Sequence, residues 1–131
     1  MGAKILIIED NEQNLYLTTF ILEKSGYEII QAREGGEGAR LAAEAEPDLI
    51  LLDIQLPGMD GYAVAKALRS NPALAGVPIV AVTSYAMAGD RERILAAGCT
   101  GYIEKPINPA TFVAQVAAHL PDAPTGRGGR A

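Results

Sequence analysis

The sequence predicts an α/β fold: a doubly wound parallel sheet of five strands, in the order 2-1-3-4-5, with helices on both faces. Three observations carry that expectation. Short apolar runs alternate with longer amphipathic stretches five times along the 131 residues, the rhythm of parallel strands joined by crossover helices. The apolar runs are nearly continuous rather than alternating, as in strands buried on both faces. Four of the five runs stop abruptly at residues with chemistry: Glu9-Asp10, Asp53, Thr83 and Lys105. Open α/β sheets place their sites at the carboxyl ends of the strands, where the strand order reverses.

The elements follow in order. Lys4 to Ile8 reads as the first strand. Asn11 can cap a helix whose apolar positions Leu15, Thr18, Phe20, Ile21 and Leu22 fall at helical spacing, with Gly26 as its stop. Tyr27 to Ala32 is the second strand. Gly35 and Gly36 precede a helix rich in Ala and Glu that ends near Glu46-Pro47. Leu49 to Leu52 forms the central strand, cut off at Asp53, and Gln55, Pro57, Gly58 and Gly61 then supply loop chemistry. Asp60 can cap a third helix through Val64, Ala65 and Leu68, which Asn71-Pro72 ends. Val77 to Val82 is the fourth strand, closed by Thr83 and Ser84. Met87 to Ala97 reads as an amphipathic helix with Asp90, Arg91, Glu92 and Arg93 outward, stopped by Gly98. Gly101 to Ile103 is a short fifth strand leading to Glu104, Lys105 and Pro106. Asn108 or Pro109 opens the last helix, with Phe112, Val113, Val116, Ala117 and Leu120 on one face. Residues 1–120 are thus expected to form one domain. Residues 121–131, rich in Pro and Gly and without apolar periodicity, read as a disordered tail.

Composition narrows the classes. Hydrophobic residues at 49% and charged residues at 21% are those of a globular domain. A net charge of −5 argues against a nucleic-acid partner. The single cysteine, Cys99, forbids an internal disulfide and suits a reducing compartment. No stretch has the length of a membrane span or the form of a signal peptide, and Leu6 breaks the myristoylation pattern. A cytoplasmic location is expected.

The strand ends carry the functional argument. In the order 2-1-3-4-5, strands 1 and 3 are neighbours, so Glu9 and Asp10 face Asp53 across the switch point. Three carboxylates that close repel one another and call for a cation. All the donors are oxygens, which favours a hard ion, and a few carboxylates suit Mg²⁺ better than a Ca²⁺ cage. Thr83 and Lys105 are suitable partners for phosphoryl oxygens. Asp53 can act as a nucleophile, since carboxylates form aspartyl-phosphates. Each residue has an ordinary reading by itself: a helix N-terminus, a strand end, a surface lysine. Their meeting on one rim is what favours the joint reading.

At these residues the chain resembles the receiver domain of response regulators in two-component signalling, which has a flavodoxin-like fold. The resemblance runs from about Lys4 to Leu120 and rests on ILIIEDNEQN, LILLDIQLPGMDG, IVAVTSYAM and GYIEKPI. It resembles single-domain receivers of the DivK type in particular. The resemblance implies that Asp53 is phosphorylated from a phosphohistidine on a histidine kinase or a histidine phosphotransfer protein. It implies Mg²⁺ held by Asp10, Asp53 and the backbone carbonyl of Gln55, with Glu9 acting directly or through water. It implies that Lys105 pairs with the phosphoryl oxygens, that Thr83 moves to bind them, that Tyr102 swings inward behind it, and that Lys105-Pro106 is cis. Ser84 stands where many members carry Ala, and is still small enough to leave the phosphoryl path open.

The function expected is therefore a phosphoacceptor switch that catalyses only its own phosphorylation and dephosphorylation and is otherwise no enzyme. It would act on a downstream protein effector through the α4-β5-α5 face, as a monomer or alternatively a dimer. A relay intermediate that passes the group to a further phosphotransfer protein is the alternative. A phosphatase of the haloacid dehalogenase type would need a second Asp where Gln55 stands. A flavodoxin-like FMN binder would need a Ser/Thr/Gly-rich loop where Glu9, Asp10, Asn11 and Glu12 stand. An interaction module that kept only the fold would have no need of the acid triad, Thr83 and Lys105. With no effector domain after residue 121, output through protein contacts is expected.

Overall fold

The structure, a computed structural model, describes residues 2–55, 60–84 and 88–120. Five strands, β1 (Lys4–Ile8), β2 (Glu28–Ala32), β3 (Leu49–Asp53), β4 (Ile79–Thr83) and β5 (Gly101–Glu104), alternate with five helices. The helices are α1 (Glu12–Lys24), α2 (Gly35–Ala45), α3 (Gly61–Arg69), α4 (Ala88–Ala96) and α5 (Pro109–His119). The sheet runs β2-β1-β3-β4-β5 with every pairing parallel, which is the expected doubly wound fold.

Strand alternation sorts the core into two layers. Leu6, Ile8, Ile50, Leu52, Ile79 and Ala81 point to one side and meet Ala42, Val64, Leu68 and Ile94 of α2, α3 and α4. Ile5, Ile7, Leu49, Leu51, Val80 and Val82 point to the other and meet Leu15, Leu22, Phe112 and Val116 of α1 and α5. All five residues of β3, Asp53 included, are buried.

The helix starts follow their caps. The side chains of Asn11, Asp60 and Asn108 accept from the backbone N–H groups of Asn14, Tyr62 and Ala110, each such cap being worth about 1 kcal/mol. Gly26 and Gly98 lie just past α1 and α4 at φ 96° and 105°, a conformation that costs glycine nothing.

Several boundaries and faces differ from expectation. Helix α2 begins at Gly35 rather than after Gly36, and Glu37 in its first turn accepts from the N–H of Arg33. Strand β2 begins at Glu28. Strand β4 begins at Ile79 because Pro78 has no N–H and the N–H of Val77 donates to Leu74. That bond follows a 3₁₀ turn over Pro72–Leu74, capped by Asn71. Phe20, placed among the apolar positions of α1, is 49% exposed. Ala117 of α5 is exposed too. Pro57, Gly58, Met59, Met87 and the tail 121–131 lie outside the described residues. Among the described residues, no helix is long and apolar enough to cross a membrane.

Candidate functional site

The register builds the site. Ile8 pairs with Leu52 and Asp53 with Val82, so Glu9 comes out of β1 alongside Asp53. Following the period of two from Ile7, Leu51 and Ile103, Glu9, Asp53 and Lys105 belong to the α1/α5 side of the sheet. Thr83 follows Ala81 and belongs to the opposite side, as does Tyr102, which pairs with Ala81. Thr83 is 1% exposed, and the half-buried Tyr102 packs against the α2/α3/α4 core layer. The four strand ends share one rim, as the sequence suggests, yet they divide between its two faces.

The contacts are close. Lys105 donates from Nζ to Asp53 Oδ1 at 3.2 Å. The N–H of Gln55 also donates to Asp53 Oδ1, at 2.9 Å. The N–H of Asn11 donates to Glu9 Oε2 at 3.1 Å. Lys105 reaches its position just after β5, where its own N–H donates to the Thr83 carbonyl at 2.8 Å and the Lys105–Pro106 peptide is cis.

Among the described residues, Glu9 is the carboxyl most perturbed. Burial, then a side-chain hydrogen bond to Asp53, then the Asp53 charge push its carboxyl from 4.5 up to about 7. The Asn11 N–H and Lys105 oppose this without cancelling it. Two acids side by side, one holding a proton near neutral pH, form a site short of positive charge even with Lys105 present.

Glu9, Asp10 and Asp53 can each offer an oxygen, and these atoms all lie within 4.8 Å of one another. An all-oxygen set of this size fits a small hard divalent cation that keeps some of its waters. A cavity of about 370 Å³ opens beside the acids, between the sheet, α1 and α5. Leu17, Ile107 and Phe112 line its apolar part, and Asp53, Glu9 and Lys105 its polar part.

Sequence reasoning missed one participant. Gln55 was singled out for its backbone carbonyl, yet its side-chain oxygen accepts from the Ser84 N–H at 3.3 Å and lies 3.5 Å from Lys105 Nζ. It ties the ends of β3, β4 and β5 together. A polar residue two places after a strand-end acid was the one signal available. Cys99 is buried, as a core filler. His119 packs over Gly101 of β5.

Carboxylates at the switch point of a 2-1-3-4-5 sheet, with a lysine on the phosphoacceptor candidate, define a class, and the comparisons agree. The family profile described as the response regulator receiver domain matches residues 5–117. The chain belongs to that family. It is 46% identical over 123 residues to the polar-differentiation response regulator DivK of Brucella ovis, covering 94% of this chain and all of that protein. DivK of Brucella melitensis matches at the same level. Among solved structures, the chemotaxis protein CheY4 of Vibrio cholerae superposes with a TM-score of 0.88 at 29% identity, over 92% of this chain and all of that one. The receiver domain of the Pseudomonas aeruginosa sensor histidine kinase PA1611, solved with a magnesium ion in its active-site cleft, has a TM-score of 0.82 at 34% identity. Coverage there is 91% of this chain and 98% of that one. The protein is thus a response regulator receiver domain, similar over nearly its whole length to DivK.

Proposed function

We propose that this receiver accepts a phosphoryl group on Asp53 from a phosphohistidine of a histidine kinase or histidine phosphotransfer protein, with Mg²⁺ as cofactor. The observation that carries the proposal is the lysine-held carboxylate of Asp53 inside the acid cluster, at the end of a buried strand. An Asp53 oxygen attacks phosphorus, the P–N bond of the donor breaks, and the imidazole leaves with its electron pair to be protonated by solvent. The product is an acyl phosphate on Asp53. Glu9, Asp10, Asp53 and the Gln55 carbonyl would hold Mg²⁺, which when bound offsets the charge of the carboxylates and the phosphoryl oxygens. Lys105 supplies the second cation and is already in place, 3.2 Å from Asp53.

Switching runs over the other face. Thr83 binds a phosphoryl oxygen through its hydroxyl, and Tyr102, on the same face of the neighbouring strand, fills the space behind it. The face formed by α4, β5 and α5 then changes shape, and a downstream effector reads it. The phosphoryl group need only favour one of two existing states by a few kcal/mol.

The test is direct. Incubated with acetyl phosphate and Mg²⁺, the protein should gain one phosphoryl group, seen by mass spectrometry, and Asp53→Asn should gain none. Full labelling of Asp53→Asn would refute the assignment.

A further inference from the structure

The contacts of α3 suggest a second path out of the site, separate from Thr83 and Tyr102. It begins at Gly61, the first residue of α3. A Cβ built there would lie 2.4 Å from the Ile54 carbonyl oxygen and 2.6 Å from the Ile54 Cα. The start of α3 therefore rests directly on the peptide that joins Asp53 to Gln55. That turn carries Gln55, whose N–H donates to Asp53 and whose carbonyl is assigned to the metal under the function proposed above.

The next residue continues outward. The Tyr62 N–H is held by Asp60 at 2.9 Å. The Tyr62 ring lies under the guanidinium of Arg93 on α4, 4.3 Å from carbon to centroid. Beside this stack α3 and α4 stand apart, with an open cleft of about 210 Å³ lined by Asp60, Lys66, Ala96 and Ala97 together with the two stacked residues. The stack bridges that cleft. Elsewhere along α4, Arg91, Glu92, Leu95 and Ala96 are exposed, and Ile94 sits in the core.

We propose that Tyr62 and Arg93 form a latch coupling the turn after Asp53 to helix α4, so that metal binding at that turn is felt at α4 before any phosphoryl group arrives. Both are positioning residues, and neither touches the acid cluster. The coupling is reciprocal, because a contact that carries metal binding to α4 also lets α4 change metal affinity. The inference rests on the proposed Mg²⁺ site, and Mg²⁺ alone is the suitable probe because it reaches the Gln55 turn without engaging Thr83.

The experiment is an NMR titration with Mg²⁺ and no phosphoryl mimic, following backbone amides. In the wild-type protein the amides of Asp10 and Gln55 should shift, and those of Ile94 to Ala97 should shift with them. In Arg93→Ala and Tyr62→Leu the Asp10 and Gln55 shifts should remain and the α4 shifts should vanish. Mg²⁺ affinity should weaken by roughly two- to fivefold, the range an exposed cation–π contact supports. Arg93→Lys and Tyr62→Phe keep a cation over a ring and should behave as wild type. Unchanged α4 shifts in Arg93→Ala, or silent α4 amides in the wild-type protein while Gln55 responds, would overturn the latch alone. If Asp10 and Gln55 do not respond in the wild-type protein, the metal site itself fails and the latch falls with it.

Discussion

Glu9→Gln isolates the most perturbed carboxyl among the described residues. Glu9 is 5% exposed, and burial first, then its hydrogen bond to Asp53 and the Asp53 charge, lift it from 4.5 to about 7. Between those values the folded protein holds a proton on Glu9 that the unfolded chain has released. The stability this contributes is whole below pH 4.5 and is lost as the pH rises through 7. At about 1.4 kcal/mol per pKa unit, the interval corresponds to at most about 3.5 kcal/mol. Ordinary carboxylates are ionised at both pH 5 and pH 8, so urea unfolding at those two values, with EDTA present, reads mainly this group. The wild-type protein should lose up to about 2.5 kcal/mol from pH 5 to pH 8, part of the effect having gone already below pH 5. Glu9→Gln, which keeps the shape without the charge, should lose far less. Mg²⁺ at ten times its dissociation constant should return about 1.4 kcal/mol to the wild-type protein at pH 8. If Glu9→Gln shows the wild-type loss between pH 5 and pH 8, the account of the acid pair is wrong.

Two further outcomes are expected. Lys105→Ala removes the cation 3.2 Å from Asp53 but leaves the core untouched, so the variant should fold and yet lose the beryllofluoride-induced shifts at Tyr102; wild-type shifts there would remove Lys105 from the switch. Burial pushes the Cys99 thiol up to about 11, so at pH 8 iodoacetamide should label it slowly in the native protein and fast in urea, and rapid native labelling would contradict its burial.

The strands were readable because burial on both faces writes them as unbroken apolar runs, and β1 and β3 stand where KILII and LILLD predict. The strand ends were readable too, since a buried run that stops at Asp53 or Thr83 needs a reason. Helix faces were harder. Helix α1 carries Leu15, Tyr16, Leu17, Phe20, Ile21 and Leu22 around most of its circumference, so spacing alone does not tell that Leu15 and Leu22 face the core while Tyr16 and Phe20 stack on each other outside. The 3₁₀ turn at Pro72–Leu74 is too short to show a period, and its Asn71-Pro72 start reads equally as the end of α3. Side chains that bind backbone leave no trace in the sequence. Arg69 looks like any cation in the last turn of a helix, yet its guanidinium donates to the carbonyls of Gly98, Leu74 and Val77. Gln55 and Tyr62 were hidden for the same reason: their partners lie on other elements.

That arginine has a mechanical consequence. Its bond to Gly98 pins the turn after α4, and Ile94 fixes the last stretch of the helix in the core. The opposite end of α4 is the one that follows β4 and Thr83. A rod held at one end and pushed at the other is a lever with a fixed fulcrum. Nine residues of α-helix measure about 13 Å, so a displacement of about 1 Å at the Ala88 end swings the rod by about 4°. A small movement at the rim would thereby become a change of tilt spread along the outer surface of α4, carrying Arg91, Glu92 and Leu95 with it.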